Sequence, residues 1–326
     1  MKIALLLVAP LLASLLIGCA TTPAAPQINP LLLFSIKSAH DQAASIGSEL
    51  WPNYDKAPFG LLVTLEEREV LFCHGSVVDG FNALPPDPIT KCDLQERGNV
   101  FPKNLLAAMP MIEGVSTIVM GTPQSTGKTE PDWTRTVFHE HFHQYQSTFD
   151  SYYKRLNSLN LSNGDNTGMW MLNYPFPYED DNFNEALSRA SRELHDAITQ
   201  QDTPIHDQVS RYLKARQELE ASVPGNDWKY LELQLWAEGV ARWTEIEIAL
   251  RSPDHAVVES GDSLKQRAIS SLLVLDGAKH GREIAYPYGA AEAILLDRCS
   301  QTWRQDYPTA MSLGALIKTI NPDRCH

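Results

Sequence analysis

Phe138-His139-Glu140-His141-Phe142-His143-Gln144-Tyr145-Gln146 packs three histidines into nine residues of helix-compatible sequence. His139, Glu140 and His143 satisfy the pattern H-E-x-x-H. An α-helix turns roughly 100° per residue, so His139 and His143 fall about 40° apart on one face, one turn above the other. Two imidazoles so placed can bind a single Zn²⁺, and Glu140, about 60° round from His143, can reach a water on that metal. His141 falls at about 200° on the far side and is excluded from the ligand set.

Outward from the motif, Thr129 is followed three residues later by Asp132, with Pro131 between, a helix start of capping-box type. Trp133, Val137, Phe138, Phe142 and Tyr145 carry the apolar pattern onward, predicting one helix to about Lys154. Upstream, Val115–Met120 predicts a strand. Between strand and helix, Gly121 to Thr129 nearly matches a phosphate-binding loop ending Gly127-Lys128-Thr129. Its glycines are one residue too far apart and Pro123 removes a backbone donor, so no nucleotide is expected there.

A catalytic zinc takes three protein ligands and keeps one position for water or substrate. The best third ligand is Glu238, in Leu235-Trp236-Ala237-Glu238-Gly239-Val240-Ala241-Arg242-Trp243-Thr244-Glu245. Gly239 and Ala241 strip bulk from the helix face beside the carboxylate, which suits a close approach to the motif helix. Glu245, about 20° from the Glu238 face and two turns on, can bond a ligand histidine; Arg242 can pair with either carboxylate. Glu245, Glu185 and Glu193 remain alternative third ligands.

With these two segments the chain resembles the gluzincin branch of zincin metallopeptidases, over roughly residues 110–250. The resemblance implies that His139, His143 and Glu238 hold one Zn²⁺ per chain and that Glu140 is the general base and acid. It also implies that Val115–Met120 is the edge strand along the cleft, and that a later Tyr or His donates to the oxyanion. Tyr288, in Tyr286-Pro287-Tyr288-Gly289, is the first choice for that donor, with His255 and His280 as further candidates. The departure from the compact members is the spacing, 95 residues from His143 to Glu238 (238 − 143). The implied fold is α+β and mainly α-helical: a zincin-like domain over 31–326, with a small β-sheet in 31–128 and helices over 129–326. The implied chemistry is zinc-dependent hydrolysis of a peptide or related amide. The competing reading is an inactive zincin-like module that binds envelope components.

The remaining sequence bounds this picture. Lys2 and the apolar run Ile3–Ile17 predict a signal peptide over 1–18, and Leu16-Ile17-Gly18-Cys19 resembles a bacterial lipobox in which Cys19 is lipidated. Ala20 after that cysteine favours outer-membrane delivery, facing the periplasm, with residues 19–30 as a tether. Membrane attachment is therefore expected through the lipid. A formal net charge of −13, with no basic stripe, argues against nucleic acid as a partner and leaves a peptide or protein substrate. Cys73, Cys92, Cys299 and Cys325 form an even set in an exported chain, and proximity favours Cys73–Cys92 and Cys299–Cys325.

Coarser expectations complete the pass. They are a helix over Leu31–Leu50, a hairpin from Phe59–Thr64 and Glu69–Cys73, and a short helix over Lys103–Met109. A loop over Asn157–Asp181 is a candidate rim or lid. Helices follow over Phe183–Thr199, Ile205–Ser222, Asp227–Leu250, Ser263–Asp276, Ile284–Cys299 and Thr309–Ile320.

Overall fold

The structure is a computed structural model that describes residues 28–326, apart from 113, 166 and 201–203. The expected signal peptide, Cys19 and most of the tether lie outside the described residues. Among the described residues no helix is long and apolar enough to cross a membrane.

The N-terminal part holds helix α1 (Pro30–Leu50) and six strands. These are β1 (Leu61–Thr64), β2 (Arg68–Phe72), β3 (Asn82–Leu84), β4 (Leu94–Gly98), β5 (Leu106–Ile112) and β6 (Val115–Gly121). A short α2 (Pro123–Thr126) precedes the motif helix α3 (Glu130–Ser147). Then come α4 (Tyr152–Ser158), α5 (Trp170–Asn173), α6 (Asp181–Thr199), α7 (Ile205–Ala221) and α8 (Gly225–Gln234). A π-helical turn, Leu235–Gly239, joins α8 to α9 (Val240–Leu250). The chain closes with α10 (His255–Ser271), α11 (Gly277–His280), α12 (Ala285–Cys299), α13 (Trp303–Ala310) and α14 (Leu313–Ile317). The fold is α+β and mainly helical, with one small mixed sheet.

Strand order is β3-β4-β2-β1-β6-β5, with β1 and β6 parallel and every other pair antiparallel. Side chains alternate across a strand, so one sheet face sends Leu61, Val63, Val70, Phe72, Ile118 and Met120 into the main core. The other face packs Leu62, Leu71 and Val119 with Val78 and Ile112 in a small second cluster. The main core is continuous from Leu32 on α1 to Ile320 near the C-terminus, so the described residues share one large apolar interior.

Several sequence expectations are corrected. Lys103–Met109, read from the sequence as a short helix, is instead largely strand: Leu106–Ile112 is β5. Pairing with β6 across a turn at Gly114 (φ 76°) overrides local propensity, and the irregular register between Met109 and Ile112 accommodates Pro110 on an edge strand. The edge position itself belongs to β5, so Val115–Met120 is an interior strand between β1 and β5. Helix α3 stops at Ser147 rather than near Lys154, and a turn that ends at Ser151 (φ 56°), the N-cap of α4, separates the two helices. Asp227–Leu250 is interrupted by the π turn. Thr309–Ile320 is split by Met311 (φ 48°) into the end of α13 and α14.

The expected hairpin forms, with Val63 opposite Val70. Cys73 and Cys92 are joined, tying the end of β2 to the entry of β4, and Cys299 and Cys325 are joined, pinning the C-terminal tail to α12.

Helix α3 is buried along most of its length. Trp133 Nε1 donates to Gly121 O at 2.7 Å, and Gln144 Nε2 donates to Gly60 O and Ser116 O, each at 2.9 Å. Buried side chains thus lock the motif helix against the ends of β1 and β6, and α1, α9 and α10 cover its other sides.

His141 is on the sheet-and-α1 side of α3, 3% exposed, its ring 4.9 Å from Tyr54 and 5.1 Å from Phe59. Burial, then the charge of His40, pushes its pKa down to about 3. The unfolded chain therefore binds one more proton than the folded chain between about pH 6.5 and pH 3, and stability falls as the pH drops through that window. At pH 4.5, His141→Phe should soften the parent's acid destabilisation by about 2–3 kcal/mol. Urea unfolding at pH 7 and pH 4.5 measures this, and parallel losses in the two proteins would refute it.

Candidate metal centre

Helix α3 begins at Thr129, whose Oγ1 accepts from Asp132 N at 3.3 Å and donates to Asp132 Oδ2 at 2.8 Å. Three turns in, His139 and His143 present their Nε2 atoms 3.2 Å apart. Glu238 comes from the π turn and sets Oε2 3.3 Å from each of those nitrogens. One donor atom from each of His139, His143 and Glu238 lies within 4.8 Å of the others. A π turn inserts one residue into a helix and re-aims its side chains, a device common at functional sites.

The helix crossing beside Glu238 differs from the sequence expectation. A Cβ on Gly239 would meet Gly289 Cα at 2.4 Å, so this glycine admits α12, not α3. The close approach fixes the π turn against α12 and with it the direction of Glu238. Neither Gly239 nor Gly289 has room for a side chain without displacing backbone.

Each histidine is also held from behind. Glu245 Oε2 stands 3.3 Å from His139 Nδ1, and Gln146 Oε1 lies 2.7 Å from His143 Nδ1. Gln146 is itself fixed, donating through Nε2 to Ala237 O at 3.2 Å and to Tyr307 OH at 2.6 Å. Because an amide oxygen only accepts, His143 carries a proton on Nδ1, which leaves Nε2 as the atom that faces Glu238. Arg135 and Arg242 clamp Glu245, the latter at 3.0 Å. Arg282 Nη1 donates to Glu238 Oε1 at 3.1 Å and to Gln234 Oε1 at 3.2 Å, leaving Glu238 Oε2 for the histidines.

The electrostatics are correspondingly perturbed. Burial opposes charging of His139, but the carboxylates of Glu238 and Glu245 outweigh it and raise its pKa to about 9. Burial likewise opposes ionisation of Glu238, yet His143 and His139 hold it well below the usual carboxylate range. Glu245 drops to about 2, its burial overcome by Arg242, Arg135 and His139. Glu140 moves the other way: burial raises it, and the positive histidines beside it only partly compensate. Two neighbouring carboxyls are thus driven apart in acidity, Glu238 toward the anion and Glu140 toward the protonated form.

The remaining expected residues fall as follows. Glu185 and Glu193 face solvent on α6, near Arg189 and Arg211. Tyr288 lies away from the histidines, 1% exposed among Leu187, Leu219, Leu231 and Leu235, its hydroxyl 3.4 Å from that of Tyr212. The tyrosine at the site is Tyr286: its ring is 5.7 Å from that of His139, and its hydroxyl accepts from Arg282 Nη2 at 3.2 Å. The helical register of α12 separates the two, since residues two apart point to opposite sides. His255 is exposed beside Glu259, and His280 binds its own turn through Asp276 O at 2.8 Å. The loop over Asn157–Asp181 lies against α8, with Tyr174 stacked on Tyr230 at 4.3 Å and Met171 O accepting from Tyr230 OH at 2.9 Å. A cavity of about 650 Å³ near the start of α1 shares no wall residue with the metal cluster.

Sequence reasoning did not single out Gln146, Arg135, Arg282 or Tyr286. Gln146 and Arg135 lie three and four residues from a ligand histidine, so helical spacing carried a signal for both. Arg282 and Tyr286 depend on how α12 crosses the π turn, and nothing local announces that.

Compared with known family models, with curated proteins and with solved structures, this chain matches none.

Proposed function

We propose that this protein is a zinc-dependent hydrolase of the gluzincin type acting on a peptide or related amide, anchored through Cys19 to the outer membrane and facing the periplasm. The observation that supports it most is the convergence of His139, His143 and Glu238, with the Glu245 carboxylate 3.3 Å from His139 Nδ1, Gln146 bonded to His143 Nδ1 and Glu140 next to His139 in the helix. Two imidazoles and one carboxylate, with His143 and Glu238 only part-buried, are a donor set suited to zinc that leaves a position open. A zinc held there would supply Lewis-acid activation of a water and of the scissile carbonyl.

The chain's own residues would do the rest. Glu140 takes the proton of the attacking water on its carboxylate and returns it to the leaving nitrogen. Tyr286, its ring beside His139 and its hydroxyl fixed by Arg282, is the donor we assign to charge that develops on the carbonyl oxygen. Glu245, clamped by Arg135 and Arg242, keeps His139 oriented, and Gln146 does the same for His143.

Elemental analysis tests the reading on a soluble form beginning after Cys19 and on its His143→Ala variant. About one zinc per chain in the parent and little in the variant is the expected result. A parent that takes up no zinc after reconstitution would refute the reading and leave the binding-module alternative.

A further inference from the structure

The π turn that aims Glu238 is held from outside its own helix. Two of its carbonyls take side-chain donors: Tyr307 OH donates to Trp236 O at 2.7 Å, and Gln146 Nε2 donates to Ala237 O at 3.2 Å. Inserting a residue into a helix leaves one carbonyl more than the ladder has N–H groups for, and a buried carbonyl needs a donor. Trp236 also bonds back, its Nε1 donating to Tyr307 O at 3.2 Å while the two rings stack 4.8 Å apart. Tyr307, on α13, is fully buried and packs on its other side against Phe142, the neighbour of His143, at 5.8 Å. One side chain thus touches both segments that supply the metal ligands.

The hydrogen bonds run in one direction. Ala237 O only accepts, so the amide nitrogen of Gln146 has to face it, and the amide oxygen is left for His143 Nδ1. Gln146 Nε2 gives its other proton to Tyr307 OH at 2.6 Å, and the tyrosine gives its own to Trp236 O. A reversed amide would set two oxygens against each other at Ala237 and would turn a donor toward His143 Nδ1. His143 would then accept at Nδ1 and carry its proton on Nε2, the nitrogen 3.3 Å from Glu238. A protonated Nε2 has no lone pair to give a metal. Tyr307, Gln146 and Trp236 are all buried, so water does not replace a donor that is lost.

We infer that Tyr307 is a positioning residue of the candidate metal centre: acting through Gln146, it lets the turn that carries Glu238 dictate which nitrogen of His143 faces the metal. The inference rests on the metal-binding part of the proposed hydrolase reading and on nothing in the proposed chemistry.

The test is Zn²⁺ affinity of the whole chain in detergent, read by competition with a chromophoric chelator. Tyr307→Phe keeps the stacked ring, removes only the hydroxyl, and should weaken zinc binding about tenfold. Tyr145→Phe is the matched control. It removes a hydroxyl on α3 itself that donates to Pro52 O at 2.9 Å, outside the relay, and should leave affinity within about twofold of the parent. Gln146→Met should weaken binding at least as much as Tyr307→Phe. Adding Tyr307→Phe to it should cost no more than about a further twofold, because the two residues act in one chain. The comparison of the two tyrosines decides even where Gln146→Met does not fold. Unchanged affinity in Tyr307→Phe, an equal loss in Tyr145→Phe, or losses that multiply in the double variant overturn the proposal.

A second readout needs no metal. In the metal-free chain with isotope-labelled histidine, the Nδ1 proton of His143 is identified by its disappearance in His143→Ala. It should exchange with water about tenfold faster in Tyr307→Phe and at the parent rate in Tyr145→Phe. A parent that takes up no zinc but shows this difference sinks the hydrolase reading and leaves the relay standing. Zinc uptake with no difference between the two tyrosine variants does the reverse.

Discussion

On the proposed hydrolase reading, Glu140→Gln is expected to lower kcat/KM on a cleaved peptide by about 10³-fold while metal content stays at the parent level. The substitution keeps the shape of the side chain and removes its ability to hold and release a proton. Glu140 is not among the residues of the candidate metal cluster, which are His139, His143 and Glu238. Its buried carboxyl sits beside two histidines, and burial raises its pKa above the usual carboxylate range, the direction that suits a group that both takes and returns a proton. The loss should appear mainly in kcat, because the missing proton transfer belongs to the chemical step and not to substrate capture. A variant that keeps a tenth or more of the parent activity would remove Glu140 from the assigned role. Paired with His143→Ala, where metal and activity should disappear together, the variant separates the proton carrier from the ligand.

What could be read from the sequence was what helical periodicity alone controls. His139 and His143 share a face because they are four residues apart, and Glu245 lies near the Glu238 face because seven residues nearly complete two turns. The structure sets Glu245 behind His139 and brings Glu238 to both histidines. The hairpin of β1 and β2 was legible for a similar reason, two β-prone runs around Glu66-Glu67-Arg68. Misreadings arose where distant parts of the chain decide. Leu-Ala-Ala-Met favours a helix in isolation, and β5 is a strand because β6 offers it an edge. The π turn leaves no trace in residue propensities; it accompanies the Gly239–Gly289 contact, whose partners lie fifty residues apart. Tyr286 and Tyr288 were equivalent as sequence, and the roll of α12 separated them.

Tyr288 instead borders a buried polar network that ties α12 to its neighbours. Arg216 on α7 donates through Nε to Glu292 and through Nη2 to Glu232, both at 2.6 Å. Tyr212 donates to the same Glu292 oxygen. Glu232 accepts from Ser312 Oγ at 2.8 Å and from Gly314 N at 2.6 Å. One guanidinium therefore joins α7, α8, α12 and the start of α14. Two of those elements flank the site: α8 runs directly into the turn carrying Glu238, and α12 carries Tyr286 and Gly289.

Arg216→Met is accordingly expected to destabilise the fold by about 3–5 kcal/mol, because it leaves two buried carboxylates without their cation. Arg216 is 3% exposed, Glu232 4% and Glu292 fully buried, so water cannot replace the lost partner. Burial already raises the pKa of Glu292, with Arg216 opposing it; without Arg216 the rise is larger. A carboxyl whose folded pKa exceeds its unfolded value binds more protons when folded, so it favours the fold at low pH and costs stability as pH rises through the folded pKa. The deficit of the variant relative to the parent should therefore shrink from pH 8 to pH 5. A triple variant, Arg216→Met with Glu232→Gln and Glu292→Gln, should recover a large part of the loss, since it removes the uncompensated charges along with the arginine. Denaturant unfolding at the two pH values measures all three proteins. A loss below about 1 kcal/mol in the single variant, or a deficit that grows toward pH 5, would show that the network contributes little to the fold. If the network is what sets the roll of α12, the single variant also loosens the Gly239–Gly289 crossing, and zinc affinity falls even though no ligand has been changed.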